Sequence, residues 1–454
     1  MSGSTLPSSR EDRRRTAIKG AWLGFYVDAF DIYLPVLALA PAMIYFTQGL
    51  TPTEAGLVAA FTFAATLIGR PLGALVLGHF SDTIGRQRIA VISAWGFGAC
   101  TLAIGLLPGI EQIGIAAIVL LILLRGIDGF FLGGEYTAAT PLAIEQSRKQ
   151  DRGRVGGLIG SAFPAAYCTL AALVFVTLQI VPAGAINSPY VQWGWRVLFF
   201  IGAAMAIAFA IWYNRSVHES EVFEAAQQGD DVVKAPWREL FRGSSGRSFL
   251  QVFVMMTGVW LAANMLNAVM PTLLASQAGL SASQLTAVLV VANLITVGGY
   301  MMAGSLSQRW GRRTTLIGGG VSVASLAALS VGVIASGMVT GIVLLIVLST
   351  ICAVTVGIAF GIVPSYINER FQTGVRASAY GLGYSLSIVI PAFYAFYQLG
   401  LSTVMPSEYT PAALMVLGGA LTALGAALGP ETKDVDFPTD DQPAQVPSVG
   451  SQEA

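Results

Sequence analysis

Residues 78–86 read GHFSDTIGR, and residues 304–312 read GSLSQRWGR. Gly, Ser, Gly and Arg occupy the same places in both stretches, and each stretch follows a long apolar segment. A motif that recurs in this way indicates an internal repeat. The two stretches therefore predict a protein of two related halves, with a similar loop at the equivalent point of each half.

The chain around this repeated motif is strongly apolar. Of its 454 residues, 54% are hydrophobic and 11% are charged, whereas about 25% of the residues in a typical soluble protein are charged. Its mean hydropathy is +0.68. The formal net charge is zero and no basic run accompanies a soluble fold, which argues against nucleic acid as a partner. The composition instead predicts a chain that lies mostly in a lipid bilayer.

Three cysteines occur in the chain, and Cys100, Cys168 and Cys352 all lie inside apolar runs. Cysteines in such places are usually small, buried core residues. Their number and setting exclude a secreted disulfide scaffold. We expect no disulfide, no metal site and no cofactor.

Twelve apolar stretches of about 20 to 28 residues are long enough to cross the roughly 30 Å of hydrocarbon as helices. The fold class is therefore predicted to be an all-α membrane protein with twelve transmembrane helices in two pseudo-symmetric six-helix bundles. The predicted spans are 20–46, 54–80, 87–108, 113–142, 155–182, 194–213, 248–276, 283–307, 314–336, 338–367, 377–401 and 410–429. The predicted divisions are an N-terminal tail (1–19), a first bundle (20–213), a linker (214–247), a second bundle (248–429) and a tail expected to be disordered (430–454).

Basic residues alternate with the predicted spans. The N-terminal tail and the loops after even-numbered spans contain Lys and Arg, whereas the loops after odd-numbered spans contain only Arg196, at the start of span 6. Because loops rich in Lys and Arg stay in the cytoplasm, both termini and the linker are predicted to be cytoplasmic. We therefore expect a multi-pass protein of the cell membrane.

Ionisable side chains inside the predicted spans are confined to the first half of the chain. An ionised group at the centre of a bilayer costs roughly 2.5 to 3.5 kcal/mol on insertion scales, so each one needs a partner or a water-filled cavity. We therefore expect any proton chemistry in the first half. The residues concerned are Asp28 and Asp31 in span 1, Arg70 in span 2, and Arg125, Asp128 and Glu135 in span 4.

Helical spacing groups the acidic residues of this set. Asp28 and Asp31 are three residues apart and share a helix face, and Asp128 and Glu135 are seven apart, nearly in line along span 4. Two carboxylates close together in a low dielectric do not both ionise cheaply, so such a cluster can take up and release a proton. We therefore predict a proton-coupling relay of Asp28 or Asp31 with Asp128 and Glu135.

The two arginines are predicted to hold this relay together or to bind an anionic substrate. Arg70 and Arg125 suit either role, because a guanidinium group grips a carboxylate at two points. Structural roles remain open for the same residues. Arg125 and Asp128 can form an intrahelical ion pair, and Glu135 can brace neighbouring helices. Arg70 can brace the kinked end of span 2.

The second half offers neutral polar groups. Asn264 and Asn267, three residues apart in span 7, and Tyr384 in span 11 are the predicted substrate contacts. Asn and Tyr inside spans also form interhelical hydrogen bonds and interfacial belts, so a structural role remains open for each.

The loop at residues 78–86 is predicted to have a conformational role. Gly85 permits a tight turn and Gly78 permits close packing. Asp82 can accept backbone N–H groups or pair with a basic residue such as Arg86. In the second copy, Gln308 replaces the acid.

The twelve spans and the paired loop resemble the major facilitator superfamily over about residues 20–430. Four stretches look like its metabolite/proton symporter branch, namely 28–31 (DAFD), 70–79, 125–135 and 194–196 (GWR). The branch usually has Glu-Trp-Tyr-Asp in place of DAFD, and often Gln in place of Asp128. The resemblance implies that Gly78, Asp82, Gly85 and Arg86 latch the cytoplasmic side while the outside is open, and that the second copy latches more weakly.

These observations predict a secondary active transporter that imports a small organic acid or zwitterion with protons by alternating access. A proton-coupled antiporter that exports amphiphilic compounds is the alternative. Antiporters of the superfamily usually carry a Gly-Pro motif in span 5, of which Gly156, Gly160 and Pro164 give a broken version. A sensor would need a larger soluble domain than the linker or tails supply.

An enzyme is not expected, because the chain has no HExxH, no Walker loop and no nucleophile elbow. The expected partners are a small-molecule substrate, protons and the lipid bilayer. The oligomeric state is not predicted.

Overall fold

The computed structural model describes residues 10–219, 240–372 and 375–437. Within these ranges the chain forms twelve helices that are long and apolar enough to cross a membrane. They are α1 (Glu11–Ala42), α2 (Thr53–Ile84), α3 (Arg86–Leu106), α4 (Ala116–Glu145), α5 (Lys149–Ile180), α6 (Tyr190–Ser216), α7 (Gly243–Ser276), α8 (Ser283–Trp310), α9 (Arg312–Ala335), α10 (Ile342–Arg370), α11 (Arg376–Leu401) and α12 (Ser407–Leu428). The protein is thus an all-α, multi-pass membrane protein, as the sequence predicts.

The helices match the predicted spans one to one, but several are longer. α1 begins at Glu11, inside the predicted N-terminal tail, and α7 begins at Gly243, inside the predicted linker. A helix that leaves the hydrocarbon continues to satisfy its own backbone groups, so its ends are not marked by hydrophobicity. Apolar patterning therefore locates the lipid-embedded part of each helix and underestimates the rest.

The two halves start their second helices in the same way. Thr51 caps α2 by accepting from the backbone N–H of Glu54, and Ser281 caps α8 by accepting from that of Gln284. In both places the side chain of the third residue reaches back to the N–H of the capping residue. These paired capping boxes are a second mark of the internal repeat.

Close helix packing inside the first bundle depends on glycine. Gly129 and Gly133 of α4 lie against the backbone carbonyls of Thr66 and Arg70 on α2, at positions where a Cβ atom would collide with the carbonyl oxygens. The approach brings the buried face of α4 directly onto α2. The charged residues of these two helices are therefore held in the same layer of the bundle.

The side of the protein that carries the termini, called here the terminal side, is closed between the halves. The hydrogen bonds and ion pairs that join the two bundles in the described residues are concentrated there. The helices involved are mainly α2, α4 and α5 of the first bundle with α8, α10 and α11 of the second. In the described residues, the two bundles are therefore joined most closely on the terminal side.

The first part of the predicted C-terminal tail makes defined contacts across both bundles. Thr432 donates to Glu369 of α10 at 2.8 Å, and Arg152 of α5 donates to the carbonyl of Val435 at 2.7 Å. The ring of Phe437 is buried beneath the Arg152 guanidinium, 3.5 Å away. Disorder thus remains an expectation only for residues 438–454, which lie outside the described residues.

Further contacts fix the same segment and the end of the first bundle. Lys149 lies 2.9 Å from Asp436, and its charge and hydrogen bond hold the pKa of that carboxyl below its usual value. In the linker, Glu219 accepts from the backbone N–H of Gln87 at 3.0 Å. The other linker acids lie outside the described residues, namely Glu221, Glu224, Asp230, Asp231 and Glu239.

Glu431 has a capping role that the apolar pattern does not reveal. Its carboxylate accepts from the backbone N–H groups of Arg312 at 2.7 Å and Arg313 at 3.1 Å, the first residues of α9. It also accepts from the N–H groups of Thr432 at 2.9 Å and Lys433 at 3.0 Å. A carboxylate at a helix N-terminus satisfies unpaired donors and complements the helix dipole.

We expect Glu431→Ala to lower the thermal unfolding midpoint of the purified protein in detergent. Removing the carboxylate leaves the first turn of α9 uncapped, a loss of about 0.5 to 2 kcal/mol in the free energy of unfolding. Asp434→Ala is the matched control, because Asp434 is exposed in the same segment and should not change the midpoint. Equal midpoints for the two variants would contradict the capping role.

Candidate transport site

A cavity of about 340 Å³ lies between the two bundles. Residues from α1, α2 and α5 line it on one side, and residues from α7 and α11 line it on the other. Most of the lining is apolar. Its polar and aromatic members are Tyr33, Phe163 and Arg70 from the first bundle, with Trp260, Asn264, Asn267 and Tyr394 from the second and Phe63 beside them.

The two helices that face each other across this cavity share an irregularity. α1 contains a π-helical turn at Leu34–Leu39, and α7 contains one at Met265–Val269. Val36 and Asn267, inside these turns, line the cavity. Wide turns of this kind occur often at functional sites, because they redirect side chains and loosen the backbone hydrogen bonding. The first helix of each bundle thus contains an irregular turn that contributes to the cavity wall.

The first charged pair of the site joins α1 to α2. Arg70 Nη2 donates to Asp28 Oδ2 at 3.1 Å, and both side chains are buried. The other nitrogens of Arg70, Nε and Nη1, have no hydrogen-bond partner among the described residues. The guanidinium also lies over the ring of Tyr136, 4.8 Å from its centroid. Arg70 therefore borders the cavity with part of its donor capacity unused.

A second charged cluster joins α1, α3 and α4 behind the cavity wall. Arg125 Nη1 donates to Asp31 Oδ2 at 3.0 Å and lies 2.8 Å from Asp128 Oδ2. Thr101 of α3 lies 2.5 Å from the other oxygen of Asp31. All four side chains are buried, and none lines the cavity. Arg125 thus pairs within α4, as the structural alternative has it, and also reaches across to α1.

Glu135 stands apart from both charged groups. Its carboxyl fills the space beside Gly24 of α1 where a Cβ would otherwise lie, next to Phe209 of α6. Neither carboxyl oxygen has a hydrogen-bond partner among the described residues, and the side chain is fully buried. An ionised carboxylate without partners in such a place is expensive, which favours the neutral acid.

The predicted substrate contacts of the second bundle are placed differently from one another. Asn264 lines the cavity, but its amide nitrogen donates to the carbonyl of Pro391 at 2.9 Å. Asn267 also lines the cavity. Tyr384 does not line it, because Trp260 covers it with ring centroids 5.1 Å apart. The indole of Trp260 donates to the carbonyl of Tyr384 at 2.7 Å.

The motif at residues 78–86, predicted as a loop, forms the end of α2 and the start of α3, with only Gly85 between the helices, and it bridges the two bundles on the terminal side. Asp82 accepts from the backbone N–H of Ser378 at 2.9 Å and from its hydroxyl at 2.7 Å, at the start of α11. Arg86 lies 3.8 Å from Asp82. Gly85 has a φ of 116°, which side chains rarely adopt, and Gly78 lies against Ser378.

Glu145 at the end of α4 completes this bridge. It forms an ion pair with Arg86 within the first bundle and accepts from Arg376 of α11 at 2.5 Å. The equivalent loop of the second bundle is arranged in the same way. Gln308 accepts from the backbone N–H of Gly153 at the start of α5, at 3.0 Å, and Arg312 pairs with Glu369 at 3.0 Å. The last turns of α2 and α8 therefore each bind the beginning of a helix in the opposite bundle.

Several residues of the site were not singled out from the sequence. Trp260, Phe163 and Thr101 carry no charge and lie in apolar runs, so nothing in the pattern distinguishes them from core residues. The sequence does give a reason to single out Glu145, because it has a counterpart, Glu369, at the end of the equivalent helix in the second half. Repeat comparison could therefore have found the bridge but not the cavity wall.

Comparison with known proteins identifies the family of the chain. The sequence model of the Major Facilitator Superfamily matches residues 21–396. The chain is 28% identical to a proline/betaine transporter of Salmonella typhimurium, over 84% of this chain and 76% of the relative. It is 29% identical to the inner membrane metabolite transport protein YhjE of Escherichia coli, over 85% and 87%.

Solved structures show the same fold. A structure of the proton:xylose symporter XylE, bound to 6-bromo-6-deoxy-D-glucose, aligns with a TM-score of 0.72 at 16% identity and covers 92% of this chain and 95% of its own. XylE from E. coli in a partially occluded, inward-open conformation aligns with a TM-score of 0.69, over 92% and 98%. With its twelve membrane helices, repeated loops and matching sequence model, the chain belongs to the Major Facilitator Superfamily of transporters.

Proposed function

We propose that this transporter imports a small organic acid or zwitterion together with protons by alternating access. The cavity lies between the halves, while ion pairs and hydrogen bonds close the terminal side. If the terminal side is cytoplasmic, as the basic loops predict, this arrangement is the outward-facing state. The latch of Asp82, Arg86, Gly78 and Gly85 would hold that state until substrate binds.

The observation that carries the proposal is the position of Arg70. Arg70 lines the cavity, donates from one nitrogen to Asp28, and has two further, buried nitrogens without hydrogen-bond partners among the described residues. A buried guanidinium with unused donors favours an anionic ligand, and a carboxylate fits its geometry. We propose that the carboxylate of the substrate binds Arg70 from the cavity.

The same pair supplies a reason for coupling to protons. Asp28 neutralises Arg70 as long as it is ionised. When Asp28 takes up a proton, Arg70 loses its counter-charge, and a substrate carboxylate can replace it. The buried site has the same total charge when Asp28 is ionised and the site is empty as when Asp28 is protonated and the substrate carboxylate is bound. No charge is then left unpaired in low dielectric. Proton uptake and carboxylate binding are therefore expected to favour each other.

The wall of the cavity favours a zwitterion over a plain acid. Aromatic rings of Tyr33, Phe163, Trp260 and Tyr394 line it, and no acidic side chain is among the described lining residues. Aromatic faces attract cationic groups, most strongly when water is excluded. A substituted ammonium group can lie against these rings while the carboxylate binds Arg70. Asn267 offers a further hydrogen bond from the opposite bundle. Asn264 also forms part of that wall.

We assign the second cluster (Asp31, Arg125 and Asp128) and Glu135 to the proton relay, with a different protonation state proposed for each. Asp31 and Asp128 share Arg125 between them, so one bound proton would make this group neutral overall. Glu135 has no such counter-charge within hydrogen-bonding distance and is proposed to remain protonated in this state. Tyr384, covered by Trp260, would meet substrate only after the terminal side opens.

Export of amphiphilic compounds by proton antiport is the second candidate. The mainly apolar wall of the cavity would suit an amphiphile. The two readings differ in the direction of substrate flow under a proton gradient. An inward proton gradient drives accumulation in symport and depletion in antiport.

Uptake of labelled compounds into proteoliposomes, with and without an inward proton gradient, tests the proposed function. Proline and glycine betaine represent zwitterions, shikimate represents an organic acid, and a hydrophobic cation represents an antiport substrate. We expect gradient-dependent accumulation of a zwitterion and little movement of the cation. Gradient-driven extrusion of the cation, without uptake of any acid or zwitterion, would favour the antiporter instead.

Arg70→Lys should raise the substrate concentration for half-maximal uptake by at least about tenfold, because an ammonium group does not grip a carboxylate at two points. Arg309→Lys is the matched control on an exposed residue and should behave like the wild type. Initial uptake rates over a range of substrate concentrations provide the measurement. An unchanged half-maximal concentration in Arg70→Lys would leave Arg70 with a structural role only.

Asp28→Asn, Asp31→Asn and Asp128→Asn should each abolish accumulation driven by a proton gradient while leaving part of the substrate exchange. Asn cannot ionise, so these variants cannot release the proton that the cycle requires. Asp434→Asn, on an exposed residue, serves as the control. Full accumulation in all three buried variants would remove the proton relay from the mechanism.

A further inference from the structure

Thr101 of α3 contacts both a carboxyl group and a backbone carbonyl. Its hydroxyl oxygen lies 2.5 Å from Asp31 Oδ1 and 2.8 Å from the carbonyl oxygen of Phe97. The side chain is 1% exposed, so water does not provide an alternative partner. The two contacts are therefore the whole hydrogen-bonding environment of this hydroxyl group among the described residues.

The hydroxyl group has one hydrogen atom, and this limits what the two contacts can be. A carbonyl oxygen only accepts, and an ionised carboxylate only accepts. When Asp31 is ionised, the hydroxyl group donates to the carboxylate and cannot also make a full bond to Phe97. When Asp31 is protonated, the acid can donate to the hydroxyl oxygen, and the hydroxyl hydrogen can turn to Phe97. The hydrogen position thus follows the protonation state of Asp31.

The charges around Asp31 favour the binding of one proton by this cluster. Arg125 and Asp128 face it from α4, Cys100 lies near it on α3, and Asp28 lies near it on its own helix. Two ionised carboxylates around one guanidinium leave one negative charge in a buried place. One bound proton removes that charge. Thr101 can satisfy Asp31 in either condition, whereas a purely apolar residue would satisfy neither.

We propose that Thr101 is a positioning residue that stabilises the ionised form of Asp31 and thereby sets the pH range over which the transporter is coupled to protons. The inference rests on the proposed proton symport. A hydrogen bond to a charged carboxylate is stronger than one to a neutral acid. Loss of the hydroxyl group should therefore make the proton bind at higher pH, and uptake should persist to higher pH.

Thr101→Val tests this inference, because Val replaces the hydroxyl group with a methyl group of similar shape. We expect the external pH of half-maximal uptake to rise by about one unit, the size of one charged hydrogen bond in pH terms. Thr101→Ser keeps the hydroxyl group and should retain the wild-type pH profile. Thr101→Ala should raise the external pH of half-maximal uptake as Thr101→Val does. It provides the test if the valine variant does not fold.

Thr422→Val is the matched control. Thr422 of α12 is buried and its hydroxyl donates to the carbonyl of Gly418 at 2.9 Å, and among the described residues it forms no hydrogen bond with a carboxyl group. It should leave the pH profile unchanged. A wild-type profile in both Thr101→Val and Thr101→Ala, or an equal shift in Thr101→Ser, would overturn the inference.

The pH profile of the wild type separates this test from that of the proposed function. If wild-type uptake does not respond to a proton gradient, the proposed symport itself fails. If the wild type responds and the Thr101 variants do not shift, symport stands and Thr101 has only a structural role.

Discussion

A charge inside a membrane bundle has to be paired, and this constraint organises the first half of the protein. Asp28 reaches Arg70 on α2, while Asp31 reaches Arg125 on α4 and Thr101 on α3. Four helices are thus fixed around two neighbouring aspartates of α1. Leaving any of these charges alone would cost more than the helix packing could easily offset. The first bundle therefore forms a rigid charged core beside the cavity.

The second bundle has a different composition and a complementary part in the site. Its share of the cavity wall consists of aromatic and amide side chains such as Trp260 and Asn267, which bind groups without demanding a counter-charge. The arrangement separates two tasks. Under the proposed function, charge recognition and proton binding would belong to one half, and shape and weak polar contacts to the other. A substrate that touches both halves links their relative movement to its own binding.

Both copies of the repeated motif, residues 78–86 and 304–312, help to close the terminal side. Asp82 and Gln308 stand at equivalent positions and each accepts from the first turn of a helix in the opposite bundle. The acceptor is charged in the first copy and neutral in the second, and Glu145 pairs with Arg86 of its own bundle and Arg376 of the other. The chain after α12 then contacts both bundles, because Thr432 donates to Glu369 of α10, and Val435 and Phe437 contact Arg152 of α5. The two copies thus share a geometry but differ in electrostatic strength.

The amino-acid sequence by itself determined the number of spans, the two-half organisation and the confinement of ionisable residues inside the predicted spans to the first half. These are local properties, since hydrophobicity and repeats can be read along one dimension. Spacing also placed Arg125 beside Asp128. Only the tertiary structure decided that Arg70 pairs with Asp28, that Glu135 lies away from both clusters, and that Trp260 rather than Tyr384 faces the cavity. Those outcomes depend on the depth and rotation of each helix, which are set by contacts between distant segments such as the glycine-mediated packing of α4 on α2.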